Sequence, residues 1–556
     1  MKRYKALIVF CCVMLLFSPL FFSDPSPLAL AVNHIGKTLP PNAAPLEQQV
    51  FRFMFSEPTS LDIGLVVYGA NGTQFLFERL VMLNENNELV PAAASRWETN
   101  RTGDRWTFHL RPDGRWSDGR PVTAHDFEYA FKRFLDPKNG NPFAYFYYEI
   151  KGAKAFNQSL TTDPASVGIR AQDNLTLIIE TERACPYLPY IVAFGTSAPV
   201  PRWQVERFGA KWTEPEHCVS NSSYRLTAWA HGASLTFGLN EQYAGPHKST
   251  LEQIRILFSD ATHSALAAYE NNETDWIFLD APDLARVRDD PVLKKELAIE
   301  PYPATWYLFF RTEQAPFNDV RVRQAISHAI DREAICRVAL QGLGLPAYSM
   351  IPPGLPGYAG DRLRPLQAFD PTIARQLLAE AGYPGGRGFP KTELWLRNAP
   401  ASLRTVAEAL QAMLKDQLGI DVTIQLTERK LYTEKMLQRT LPLSLITYSS
   451  DFPDPGNMLA QVWHSQPEGS GRHDWKNERF DQLVDQASGE MNPSKRLELY
   501  QEAERLLISD AGGVFLLHPK FAELRKAWVR GISRNARGDD PLDLQTTAIT
   551  KVYVGK

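Results

Sequence analysis

The stretch from Thr392 to Leu426 constrains the fold more than any other. Residues 392–397 read as a strand, 402–418 as a helix, Gly419 as its stop and 422–426 as a second strand. Strand, helix and strand in that order make a βαβ unit, so the crossover is right-handed and the sheet at least partly parallel. Helical texture begins just after residue 310, where Val322, Ala325, Ile326, Ala329 and Ile330 recur at helical spacing behind Asn318-Asp319. Earlier segments favour strands, at 50–55, 106–110, 224–229, 234–239, 254–258 and 275–279, with a hairpin over 168–181 that turns at Asp173-Asn174. Between them Thr123 and Asp126 form a capping box ahead of a helix whose core face is Phe127, Ala130 and Phe131. The class is therefore α/β with mixed α+β character. A length of 556 residues exceeds what one core supports and predicts about three domains.

The N-terminus reads as a segment to be removed. Met1-Lys2-Arg3-Tyr4-Lys5, an apolar run from Ala6 to Phe22 and the small-residue pattern Ala29-Leu30-Ala31 make a secretory signal over 1–31, cut before Val32. Cys11 and Cys12 lack the small residues that precede a lipid-modified cysteine, so no lipoprotein is expected. Cleavage moves the formal charge from −3 to about −5, which supplies no attraction for nucleic acid or an anionic membrane. Three cysteines remain, and in an oxidising compartment Cys185 and Cys218 could pair, leaving Cys336 alone.

One apolar run ends abruptly. Residues 441–449 read as a buried strand, and Pro453, Pro455 and Gly456 forbid its continuation, which leaves Asp451 at the strand's broken end. Carboxyl ends of strands line the ligand crevice of α/β domains, so Asp451 is either a cation-holding carboxylate or the cap of its own turn. Catalytic signatures are missing. Gly385 to Thr392 ends like a phosphate loop, but Pro390 stands where the glycine before the lysine is required. The sequence contains no His-Glu-x-x-His, Cys-x-x-Cys or Gly-x-Ser-x-Gly, and no enzyme, metal site or cofactor is expected.

Several separated blocks resemble the periplasmic oligopeptide-binding proteins, the solute receptors of peptide ABC transporters. They are Glu57-Pro58-Thr59-Ser60-Leu61-Asp62, Trp106 to Arg111 with Trp116 to Gly119 and Pro121 to Phe127, and Pro199-Val200-Pro201 before Phe208 to Trp212. Further blocks are Ala315 to Arg323 with Asp331-Arg332, and Leu345 to Ser349 before Pro352-Pro353. The resemblance covers nearly the whole mature chain. It implies a two-lobed, three-domain periplasmic binding protein of type II, hinged at crossovers near Ala304 and Val514, that closes on an extended peptide. Domain I would comprise 46–82, 197–303 and 515–548, domain II 83–196 and domain III 304–514. The expected partners are a peptide and an inner-membrane ABC permease, and the expected form is a periplasmic monomer.

The family's ammonium-binding aspartate matches Asp451 in Asp451-Phe452-Pro453-Asp454-Pro455. Tyr448 stands at a family Trp, and Phe143 stands where relatives carry a ligand-facing Tyr and, lacking the hydroxyl, reads as core packing. Arg429 replaces another Trp. The implied ligand-binding set is Asp451, Tyr448, Ser449, Phe452, Phe143 and Arg429. The disulfide of well-known members falls on Ala304 and Ser449, and their basic, carboxylate-holding positions fall on Leu437, Gln438 and Leu445. These departures leave a second ligand class open within the same fold: a sugar, opine, metal chelate or haem.

Overall fold

The computed structural model describes residues 30–65, 71–141, 143–259, 262–279, 281–397, 401–465, 473–532 and 547–556. The signal expected over 1–31 lies outside them but for Leu30 and Ala31. The βαβ unit forms as read: Thr392–Arg397, the helix Ala401–Leu418 and Val422–Thr427, with the two strands parallel. Gly419 ends the helix in a left-handed conformation, φ +71°, where a Cβ would sit 2.5 Å from the Gly385 carbonyl oxygen.

Among the described residues one sheet joins 12 strands. Its order is Val422–Thr427, Thr392–Arg397, Leu443–Ser449, Ala304–Phe310, Gly513–Arg525, Trp276–Leu279, Val50–Phe55, Gln253–Phe258, Ser234–Leu239 and Tyr224–Ala230, with Leu297–Pro301 and Gly344–Pro346 also paired to Gly513–Arg525. The apolar pattern predicts a strand over 514–518 that Pro519 would end, because proline rarely occupies a ladder. It continues instead. Pro519 sits at a change of partners: Leu517 pairs with Trp306 on one side of it, and Lys520 with Pro301 on the other. One strand thus runs from the sheet around Leu443–Ser449 into the sheet around Val50–Phe55.

Alternation along the strands builds two cores on opposite faces. Leu308, Phe310, Leu443, Leu445, Val514 and Leu516 point into one, and Tyr307, Phe309, Ile446, Tyr448 and Phe515 into the other. Both faces are covered, so these strands are apolar throughout. Another core unites Val50–Phe55 with a four-stranded antiparallel sheet of Ala94–Thr99, Arg105–Leu110, Thr176–Glu180 and Ile169–Asp173. The helix Ala124–Leu135 packs there behind the expected Thr123–Asp126 capping box. The Asp62 carboxylate ties the first segment to this unit, accepting from the two terminal guanidinium nitrogens of Arg133 at 2.7 Å and from Trp212 Nε1–H at 2.8 Å.

The bridge offered for Cys185 and Cys218 is not formed. Cys185, Cys218 and Cys336 are free. Burial pushes the Cys185 thiol up and that of Cys218 to about 12, which suppresses the thiolate that oxidation requires. Their surroundings also differ. Cys185 lies near Glu149, Tyr187, Asp454 and Arg496, whereas the Cys218 N–H is bonded to the Glu214 carbonyl.

Candidate functional site

Asp451 lies just beyond the strand Leu443–Ser449, in a turn that the prolines impose. Ser450 N–H still donates to the Pro303 carbonyl at 2.7 Å, and then Pro453 and Pro455 withdraw their donors and the ladder stops. The two aspartates of the turn divide its roles. Asp454 is the cap, accepting from Gly456 N–H at 2.8 Å at the start of the short helix Pro455–Met458. Asp451 is held by side chains. Its Oδ2 accepts from the Tyr448 hydroxyl at 2.7 Å and from Asn457 Nδ2 at 3.0 Å, while its own N–H donates to Asn457 Oδ1 at 2.9 Å.

Asn457 is fully buried and is itself fixed through Gln461 Oε1 at 2.8 Å. A tyrosine hydroxyl and a carboxamide therefore help aim a carboxylate that is 8 % exposed. In surroundings so poor in water, a hydrogen bond to an ammonium is stronger than it would be on an open surface. Asn457 had no signal in the sequence, because a carboxamide two residues past a proline reads as part of a loop.

The other expected residues fall in different settings. Tyr448 is buried and turned to Asp451. Ser449 is half-buried and lies directly across the ladder from Ala304, so the positions that hold a disulfide in relatives are neighbours here without one. Phe452 is 1 % exposed, and its ring stacks on Tyr187 at 6.3 Å between centroids. Phe143 packs against the first core with its ring 6.1 Å from that of Phe146. Arg429 is exposed and opens the helix Arg429–Leu437, its carbonyl accepting from Thr433. Leu445, where relatives place a basic residue, is fully buried and points to the opposite face from Tyr448.

A separate cavity of about 390 Å³ opens at the end of Val50–Phe55, lined by Glu57, Thr213, Glu214, Trp229 and His231 among others. The Glu57 carboxylate accepts from Trp229 Nε1–H at 2.9 Å and contacts His231 Nδ1 at 3.0 Å. That hydrogen bond holds the imidazole above its ordinary range. Among the described residues no cluster of His, Cys, Asp and Glu could hold a metal ion, and no helix is long and apolar enough to cross a membrane.

A 12-stranded mixed sheet running through two parts of the chain, with an oriented carboxylate at the end of one strand, fits an extracytoplasmic solute-binding protein. The chain belongs to that class: the family model of bacterial extracellular solute-binding proteins, family 5 Middle, matches residues 88–470. Among curated proteins it is 31% identical over 465 residues to the oligopeptide-binding protein OppA of Bacillus subtilis, covering 82% of this chain and 84% of that one. It is also 31% identical over 501 residues to a probable deoxycholate-binding periplasmic protein of Escherichia coli, covering 89% and 92%. The solved structure of the Escherichia coli murein tripeptide binding protein superposes with a TM-score of 0.75 at 27% identity, over 93% of this chain and 100% of that one. The fold is that of the type II periplasmic binding proteins.

Proposed function

We propose that this chain is a secreted, non-enzymatic receptor that captures oligopeptides in a cleft between two lobes and delivers them to an inner-membrane ABC importer. One lobe combines 46–82, 197–303 and 515–548 with 83–196, and 304–514 forms the other. The crossovers are the run from Leu297–Pro301 into Ala304–Phe310 and the long strand Gly513–Arg525, a pair of strands suited to bending as a hinge. The receptor acts as a periplasmic monomer released by cleavage before Val32, and binds no nucleic acid.

The observation that carries the reading is the carboxylate of Asp451, buried, oriented by Tyr448 and Asn457, and placed at a strand end. A peptide's terminal ammonium supplies the charge and the three donors that such a group accepts. Backbone pairing with strand edges would hold the rest of the peptide with little regard for side chains. The test is native mass spectrometry of the freshly purified mature chain, in which co-purified species of peptide mass are expected.

A second reading is a non-peptide solute of the same fold. It is favoured by Leu437, Gln438 and the buried Leu445 at positions where relatives hold a peptide carboxylate, and by the name of the deoxycholate-binding relative. A single bound mass that no combination of amino-acid residues reproduces would establish it.

A further inference from the structure

The residue next to Asp451 makes a contact of a different kind. Among the described residues between 304 and 514, Phe452 alone belongs to the first core, while its neighbours Tyr448, Met458 and Leu459 belong to another. What draws it there is Tyr187, whose ring lies 6.3 Å away and nearly parallel, at 9°. The Arg496 guanidinium lies 5.1 Å from the centroid of the same Tyr187 ring. Tyr187 therefore meets an aromatic ring from the Asp451 turn and a cation from the helix Pro493–Ser509. Adjacent contacts join the same two regions: Arg183 pairs with Asp485 at 3.2 Å, and Gly103 is so near Met491 that a Cβ would fall 2.6 Å from its sulfur.

Among the described residues, and apart from the exposed Arg183–Asp485 pair, the hydrogen bonds of Arg496, Asp454 and Tyr187 are each made within one side or the other. Arg496 is buried, paired through both terminal nitrogens with Asp454, and donates through Nε to the Ala487 carbonyl at 3.0 Å. Its Nη2 also reaches the Tyr500 hydroxyl at 3.3 Å. On the opposite side the Tyr187 hydroxyl interacts with Cys185. Pulling Tyr187 away would break a ring stack and a cation–π contact but would orphan no hydrogen bond of the Asp454–Arg496 pair. Water could then solvate that ion pair. An interdigitated aliphatic core offers no such parting plane, because separation there leaves only bare apolar surface and cavities.

We propose that Tyr187 is the closure latch of this receptor: its ring docks between Phe452 and Arg496 when the two lobes shut and leaves them when they open. Phe452 and Asp451 are consecutive in one turn, so a ligand seated on Asp451 stabilises the turn in the position that the latch requires. This rests on the proposed reading of Asp451 and of the two lobes. Tyr187 is thereby a positioning residue, acting through Phe452 and Arg496.

The test compares Tyr187→Leu, which keeps apolar bulk but removes the ring, with Tyr187→Phe, which keeps the ring. The peptide probe is whatever free-amine peptide binds the native chain in a calorimetric screen. Stopped-flow release from Tyr187→Leu should be about 10- to 100-fold faster than from the native chain, the loss of one stack and one cation–π contact, while Tyr187→Phe stays within about twofold. Without ligand, small-angle scattering should show a larger radius of gyration for Tyr187→Leu than for Tyr187→Phe. Phe452→Leu attacks the latch from the other lobe and should move both readouts in the same direction, which keeps the test available if Tyr187→Leu does not fold.

Equal release rates and equal radii for the native, Tyr187→Leu and Phe452→Leu chains would overturn the latch. So would a Tyr187→Phe variant as impaired as Tyr187→Leu, since the ring would then be irrelevant. If no peptide binds the native chain, the peptide reading fails by itself, and the ligand-free scattering comparison still decides the latch.

Discussion

Replacing Glu504 by glutamine should remove a pH dependence that the fold imposes. Glu504 lies on the helix Pro493–Ser509 with no exposed surface. Its Oε1 accepts from the Ser349 hydroxyl and the Met350 N–H, each at 2.7 Å, and from the Ile351 N–H at 3.3 Å. Among the described residues its Oε2 has no hydrogen-bond partner. Burial pushes the carboxyl up to about 7 against the opposing pull of those donors, from an ordinary 4.5. The native state therefore keeps a proton that the unfolded chain has already lost. The stability this contributes is complete below 4.5 and is lost as pH rises through 7. At 1.36 kcal/mol per pH unit, the loss across that window is about 3 kcal/mol.

Glu504→Gln keeps the accepting oxygen and mimics the protonated acid, so its stability should be flat where the native chain's falls, and above pH 7 it should exceed the native chain by up to about 3 kcal/mol. Urea denaturation of both chains at steps from about pH 4.5 to 8 reads this directly, and the difference between the two curves cancels every other titrating group. A difference that does not change with pH would refute the reasoning. The consequence reaches the crossovers, because the Met350 carbonyl accepts from the Thr305 hydroxyl at 2.7 Å and Thr305 lies on Ala304–Phe310.

Three further outcomes are expected. His518, fully buried on the long strand, is pushed down by burial to about 4. Its contribution is complete above the ordinary 6.5 and is lost as pH falls through 4, so His518→Asn should flatten the acid limb of the denaturation curve. Asp62→Asn takes away the carboxylate that holds the Arg133 guanidinium and should cost about 3–5 kcal/mol in denaturant titrations. Gly419→Ala forces a side chain into a left-handed turn against the Gly385 carbonyl and should lower stability by at least about 1 kcal/mol, seen as a lower melting temperature.

Local patterning made the elements readable where one rule acted alone. Strand Val50–Phe55, strand Ser234–Leu239 and the hairpin turning after Asp173 form where alternation and turn residues placed them. The helix Val320–Ala329 turns Val322, Ala325, Ile326 and Ala329 into one core, with Asp319 as its cap. Gly513–Arg525 was cut short at its proline, because no local pattern reveals a strand that exchanges one set of partners for another.

The site was legible only in part. A carboxylate at a strand end could be read, and the family resemblance named its ligand group, but its partners arise from tertiary folding. Asn457 reaches back across two prolines, and Tyr187 arrives from more than 250 positions away in the chain. The disulfide expectation failed for a related reason: cysteine count and compartment say nothing about whether two thiols meet.

The central claim is that Asp451 binds the amino terminus of a peptide. It is tested most directly by titrating one tight-binding free-amine peptide and its N-acetylated form into the native chain and into Asp451→Ala by isothermal calorimetry. The native chain should prefer the free amine by about 10- to 150-fold, the contribution of one charge-assisted hydrogen bond in a closed site, and Asp451→Ala should bind both forms equally weakly. An Asp451→Ala variant that retains the native affinity for the free-amine peptide would contradict the account.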